Sequence, residues 1–165
     1  MKLTHLNLGG GFPAKHEIGV PRVEDIMNHI LSCVTELFPE EISLSVEPGR
    51  ALVADAGTLI TTVIGTAFRE GKNWMYLDSG VFNGLMESVG GITYRFQPLS
   101  TTVSLEMDEW ILAGPSCDSF DVIARGITLP TLQVGDRIAI SPAGAYTSAY
   151  ASNFNGMKIP PVILV

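Results

Sequence analysis

Five short segments carry residue types that can do chemistry. In LNLGGGFP, the glycines Gly9, Gly10 and Gly11 follow an apolar run near the start of the chain. A glycine turn at the carboxyl end of a strand points successive N–H groups outward into a concave anion site. A plain turn with unusual dihedrals would need the same residues. EPGR places Glu47 and Arg50 at the end of a second run, where open α/β sheets bind ligands. A surface ion pair at a strand–turn junction is the alternative. GPSCDSFD sets Cys117 beside Asp118, a thiol to move a proton and a carboxylate to hold a cation, or else a polar loop with an incidental cysteine. In LDSGVFNG, Asp78 ends a strand or fills an ordinary turn. GAYTSAYASNFNG carries Tyr146, Tyr150 and Phe154 among small residues, as a packed loop or helix also would.

The elements that must position these residues change character part-way along. Residues 2–8 read as a short strand and 42–47 as a second, alternating one. Between them, 20–38 reads as a helix with Val23, Ile26, Met27, Ile30, Val34 and Leu37 at helical spacing. Pro21 suits its first position, Glu24 and Asp25 suit the positive end of the dipole, and PEE (39–41) ends it. Strand, helix and strand make one βαβ unit with parallel strands. Beyond PGR, β-rich runs follow at 51–68, 73–78, 92–97, 101–106, 109–113, 137–141 and 161–165, with helical pieces expected at 119–125 and 146–154. The fold class is therefore α/β plus all-β: a βαβ segment over 1–50, then a mainly antiparallel β-domain, barrel or sandwich, over 51–165. One βαβ unit leaves its strand edges open, so the first part is too small to stand alone.

Composition narrows the function classes. With 165 residues, 46% of them hydrophobic, the chain can bury a sizeable core. A net charge of −7 argues against nucleic acid and anionic membranes as partners. No apolar run approaches the roughly 18 residues of a membrane span, and the first residues lack the pattern of a secretory leader. A cytoplasmic location is expected. Two cysteines make no disulfide framework; Cys33 falls on the apolar side of the helix and reads as a core residue. His5, His16 and His29 show no metal-ligand spacing, so no metal is expected.

Taken in order, GGGFP, EPGR, LDSGVFNG, GPSCDSFD and GAYTSAYASNFNG make the sequence resemble one family over almost its whole length. It resembles the C-terminal portion of the alanine-racemase-fold, pyridoxal-phosphate-dependent decarboxylases of the ornithine and lysine group. The resemblance implies that residues 1 to about 47 are the last strand–helix–strand of a (β/α)8 barrel. It also implies roles. Gly9, Gly10 and Gly11 would cradle the cofactor phosphate, with Arg50 and the Tyr146 hydroxyl as further donors. Glu47 would face the pyridine nitrogen and keep it protonated. Cys117 would return a proton to carbon after CO2 leaves. Asp78 and Asp118 would pair with the distal ammonium of a basic substrate, and Phe154 would line the pocket. A homodimer with shared active sites is implied, the Cys117–Asp118 segment reaching the partner's cofactor.

The related diaminopimelate decarboxylases typically carry CES where this chain has CDS, and Asp118 with Asp78 would repel a distal carboxylate. Ornithine or lysine is the expected substrate, in polyamine biosynthesis. The Schiff-base lysine of the family lies on an earlier barrel strand, and none of Lys2, Lys15, Lys72 and Lys158 sits in a matching context, so the chain alone is expected to be inactive. The alternatives are a non-catalytic regulatory or dimerising relative, a diaminopimelate decarboxylase, and a small β-domain without cofactor.

Overall fold

A computed structural model describes residues 3–14, 19–38, 42–99 and 106–165. Strands β1 (His5–Asn7) and β2 (Ser43–Ser45) pair in parallel, joined by helix α1 (Val23–Leu37). This is the expected βαβ unit. In the register His5↔Ser43 and Asn7↔Ser45, the alternating sequences place His5, Asn7, Ser43, Ser45 and Glu47 on one face. Leu6, Leu8, Leu44 and Val46 fall on the other.

α1 begins two residues later than the Pro21 start expected. The N–H groups of Asp25 and Ile26 both bond to the Arg22 carbonyl, so Arg22 is the N-cap and Pro21 lies outside the helix. Glu24 and Asp25 do occupy the first turn. The end is set at Phe38, whose N–H bonds to the Val34 carbonyl; PEE lies outside the described residues. No residue of α1 is fully buried. Cys33, expected in the core, is only half-buried, its Sγ 3.8 Å from His29 Nε2. Among the described residues no second layer covers the apolar stripe on which it sits.

The region expected as strand from residue 51 begins instead as helical turns, α2 (Arg50–Val53) and a 3-10 turn (Ala54–Ala56). ALVADA is mostly alanine and leucine, both strong helix formers, and Gly57 must pass so close to Gly144 that a Cβ there would lie 2.7 Å from the Gly144 Cα. Only after that crossing does the chain extend into β3 (Leu59–Arg69), followed by β4 (Lys72–Leu77), β5 (Arg95–Pro98), β6 (Met107–Ala113), β7 (Val122–Pro130) and β8 (Arg137–Ser141). These form one six-stranded sheet in the order β5-β8-β3-β4-β6-β7. β4 and β6 run parallel and the other neighbours antiparallel.

Period-two burial builds the core. Leu59, Thr61 and Val63 of β3 point inward while Ile60 and Ile64 point out. Met75, Leu77, Leu112, Ile138 and Ile140 join them with no more than a trace of exposure. Each such side chain contributes about 1.5–3 kcal/mol of transfer free energy. Trp110 is buried with its indole N–H donating to the Leu129 carbonyl at 3.2 Å.

β7 replaces the helix expected at 119–125. Phe120, Ile123 and Ala124 mimic helical spacing, but Val122, Ile127 and Thr128 are β-branched and pair along β6. Gly126, at φ +69°, takes up the register shift there. The run at 146–154 resolves into one helical turn, α3 (Thr147–Tyr150), and a 3-10 turn at Phe154–Gly156. Residues 161–165 form no strand, since Pro160 and Pro161 interrupt the donors a ladder needs. The run at 101–106 lies outside the described residues except for Glu106, which is in no strand. No helix among the described residues is long and apolar enough to cross a membrane.

Candidate active site

The ladder between β1 and β2 closes with the Leu8 N–H donating to the Ser45 carbonyl. There the chain turns away through Gly9 at φ +71° and Gly11 at φ +85°, a backbone only glycine adopts without strain. Gly10 is required for another reason: a Cβ would lie 2.7 Å from the Glu47 carbonyl oxygen. Among the described residues no acceptor takes the N–H groups of Gly10 and Gly11. The turn is thus a pair of free donors beside a strand end.

Glu47 sits across that turn, its N–H bonded to the Gly9 carbonyl at 2.8 Å and its Oε1 accepting from Asn7 Nδ2 at 2.7 Å. Arg50 follows in α2. Its guanidinium donates to the Ala145 carbonyl at 3.0 Å, pairs with Glu87, and lies 5.1 Å from the centre of the Tyr146 ring. The Tyr146 hydroxyl reaches Gly49 so closely that a Cβ at that position would collide with it. Burial pushes the Tyr94 phenol up, with Arg50 nearby pulling the other way. Gly10, Gly11, Glu47, Arg50 and Tyr146 therefore converge on one cleft of about 480 Å³, walled on its apolar side by Phe12, Pro13, Val20 and Ile92. A cradle of free N–H groups, one guanidinium and one phenol suits a phosphate; a carboxylate at the far end suits a cationic ring nitrogen.

Cys117 and Asp118 line a different recess, about 500 Å³, with Arg69, Trp74, Tyr76 and Arg125. Arg69 and Arg125 flank the Trp74 ring at 5.9 and 5.6 Å. The Cys117 Sγ is exposed and receives the Asn155 amide at 3.3 Å. Phe154, next to Asn155, packs on Phe82 at 4.4 Å between ring centroids. Phe154 lines neither recess. Asp118 Oδ1 accepts the Phe120 N–H at 2.8 Å in a local turn. Asp78 lines neither recess; its Oδ1 accepts from Thr61 Oγ1 at 2.6 Å and from the Thr62 N–H at 2.8 Å.

Sequence reading missed Asp121. It is 2% exposed, packed against Gly80 and Gly114 where any Cβ would collide with its carboxylate. Its oxygens accept the Val81 N–H at 2.7 Å and the Ser116 N–H at 2.9 Å, which fixes the loop bearing Cys117. Asp121→Ala strands one buried and one part-buried donor and is expected to destabilise the fold by about 2–4 kcal/mol. Urea unfolding measures this, and a loss below the cost of one buried donor would show that the loop stands without Asp121. Asn7 and Glu87 were missed too. Both act on Glu47 and Arg50 from segments 40 and 37 residues away in sequence, and pattern within a segment carries no trace of that.

The family model for the pyridoxal-dependent decarboxylase C-terminal sheet domain matches residues 23–144. The chain belongs to this family. The lysine/ornithine decarboxylase of Selenomonas ruminantium is 35% identical over 167 residues, which cover 99% of this chain and 41% of that protein. The diaminopimelate decarboxylase of Deinococcus radiodurans is 36% identical over 162 residues, covering 98% of this chain and 40% of that one. The chain thus spans about two fifths of the length of these relatives. Among solved structures, the Vibrio vulnificus lysine/ornithine decarboxylase complexed with cadaverine superposes with a TM-score of 0.82 at 36% identity, over 94% of this chain and 42% of that one. SrLDC in complex with PLP and cadaverine gives 0.82 at 33% identity, over 99% and 42%. The pyridoxal-phosphate-dependent decarboxylase assignment and the β-domain fold expected from the motifs agree with these matches.

Proposed function

We propose that this chain contributes two half-sites to a pyridoxal-phosphate-dependent decarboxylase of basic amino acids, with the barrel segment and the β-domain dividing near Arg50. The observation that supports it is the convergence of the free Gly10 and Gly11 donors, Arg50, Tyr146 and Glu47 on one cleft. Bound there, pyridoxal phosphate would supply an electron sink for the carbanion left when CO2 departs. The glycine N–H groups, Arg50 and the Tyr146 hydroxyl hold the phosphate. Glu47 accepts from the ring nitrogen and keeps its proton in place.

Cys117 lines the other recess of its own chain, so its thiol delivers a proton to the substrate carbon at the cleft of a second copy. This shared arrangement is the reason for proposing a homodimer. Within the same recess Asp118 takes the distal ammonium. Asp78 lines neither recess, so the ammonium role narrows to Asp118. Lys72 and Lys158 line neither recess, in keeping with a Schiff-base lysine supplied from elsewhere.

Lysine and ornithine are the favoured substrates, because Asp118 repels a distal carboxylate. Diaminopimelate is the second reading, favoured by Arg69 and Arg125 in the same recess. Assaying CO2 release from all three with the protein expressed from its whole gene decides between them. Release from lysine or ornithine well above that from diaminopimelate is expected, and the reverse order overturns the choice. Gly49→Ala tests the phosphate end. It drives the Tyr146 hydroxyl away from the cradle, removing one charge-assisted bond of about 1.5–3 kcal/mol, so the Kd for pyridoxal phosphate rises about tenfold or more. An unchanged Kd in a fluorescence titration would remove Tyr146 from the phosphate site.

A further inference from the structure

Two strands deliver the two ends of the proposed cofactor site, and their hydrogen-bonded ladder stops before either end is reached. The last ladder bond is Leu8 N–H to the Ser45 carbonyl, after which Gly9 turns away. Two links cross the gap, the backbone bond from the Glu47 N–H to the Gly9 carbonyl and the Asn7 side chain. Asn7 Oδ1 accepts the Gly9 N–H at 2.8 Å, and Asn7 Nδ2 donates to Glu47 Oε1 at 2.7 Å. With the Glu47 N–H on the Gly9 carbonyl, these bonds close a ring through Asn7, Gly9 and Glu47.

The amide orientation follows from its partners. A backbone N–H only donates and an ionised carboxylate only accepts, so oxygen must face Gly9 and nitrogen must face Glu47. Aspartate would repel Glu47, serine could accept the Gly9 N–H without also spanning to Glu47, and alanine would reach neither partner. Among the described residues nothing else holds the Glu47 carboxylate, which leaves Oε2 open toward the cleft.

We infer that Asn7 is a positioning residue that aims the ring-nitrogen carboxylate and ties it to the phosphate cradle, adding a side-chain lock to the backbone bond between Glu47 and Gly9. The inference rests on the cofactor reading above. Its strut geometry also stands by itself, in the bonds to Gly9 and Glu47. Asn7 touches no reacting atom in this account and acts only through those two residues.

The test is a double-mutant cycle on the protein expressed from its whole gene, using Asn7→Ala, Glu47→Ala and the double variant. Pyridoxine probes the ring end and inorganic phosphate probes the cradle. Asn7→Ala is expected to weaken pyridoxine binding about fivefold to tenfold when Glu47 is present and less than about twofold when it is absent. Phosphate binding should weaken about threefold in both backgrounds, because that arm runs through Gly9. Hydrogen exchange at the Gly9 amide reads the strut without any ligand. It should speed up about tenfold in Asn7→Ala and stay at the wild-type rate in Asn7→Asp, which keeps the acceptor.

Equal loss of pyridoxine affinity in both backgrounds would overturn the inference, as would unaltered Gly9 exchange in Asn7→Ala or faster exchange in Asn7→Asp. A wild-type protein that binds neither probe would instead overturn the cofactor reading and this inference with it. Unchanged Asn7 variants of a protein that binds both probes would overturn the inference alone.

Discussion

Glu47→Gln lowers the rate of decarboxylation about 100- to 1,000-fold, the usual cost of removing one preorganised charge from a developing transition state. The substitution is close to isosteric, and a glutamine oxygen still accepts from Asn7, so the strand junction persists. What changes is the group presented to the ring nitrogen. A carboxylate accepts a proton-bearing nitrogen and stabilises its charge; an amide does neither as well, and the ring becomes a poorer electron sink. On the proposed reading the glycine turn, Arg50 and Tyr146 would hold the phosphate at the other end of the cleft, so cofactor affinity should move only a few-fold. Measuring kcat beside the Kd for pyridoxal phosphate separates the two. A large rise in Kd with kcat preserved would mean that Glu47 serves binding alone.

The second large effect belongs to Cys117→Ala, expected to cost about 100-fold or more in rate, as removal of a positioned proton donor does. The thiol is exposed in its recess, aimed by the Asn155 amide and carried on a loop pinned by Asp121. Removing one sulfur atom from an exposed position leaves the core untouched, so the thermal midpoint should not fall. Steady-state rates and a melting curve on the same sample check both halves. A rate within a few-fold of wild type would remove Cys117 from the chemistry.

Much of this site was legible in the sequence. The glycine run declares itself because its backbone demand is local: Gly9 and Gly11 need positive φ. The βαβ unit was legible from helical spacing and alternation, and most β-domain strands from β-rich runs between glycine, proline and aspartate breakers. Asp121 was not. It sits in DSFD as one more acidic residue, and only the fold brings Gly80, Val81 and Gly114 around it. Asn7 was hidden in the same way, because its value lies in two partners, one of them on another strand. β7 was misread since Phe120, Ile123 and Ala124 offer a helical period. The deciding fact, pairing with β6, is tertiary.

The separation of Glu47 and Cys117 into different recesses of one chain is the centre of the functional account. Mixing tests it. Glu47→Gln and Cys117→Ala proteins, each nearly inactive, are combined under conditions that allow subunits to exchange, and CO2 release from lysine or ornithine is recorded. Random pairing makes half of the dimers mixed, each with one intact site of two, so activity should recover to about a quarter of wild type. A mixture no more active than its two components would contradict a site shared between copies and would place Cys117 and Glu47 in the same chain's chemistry or in none.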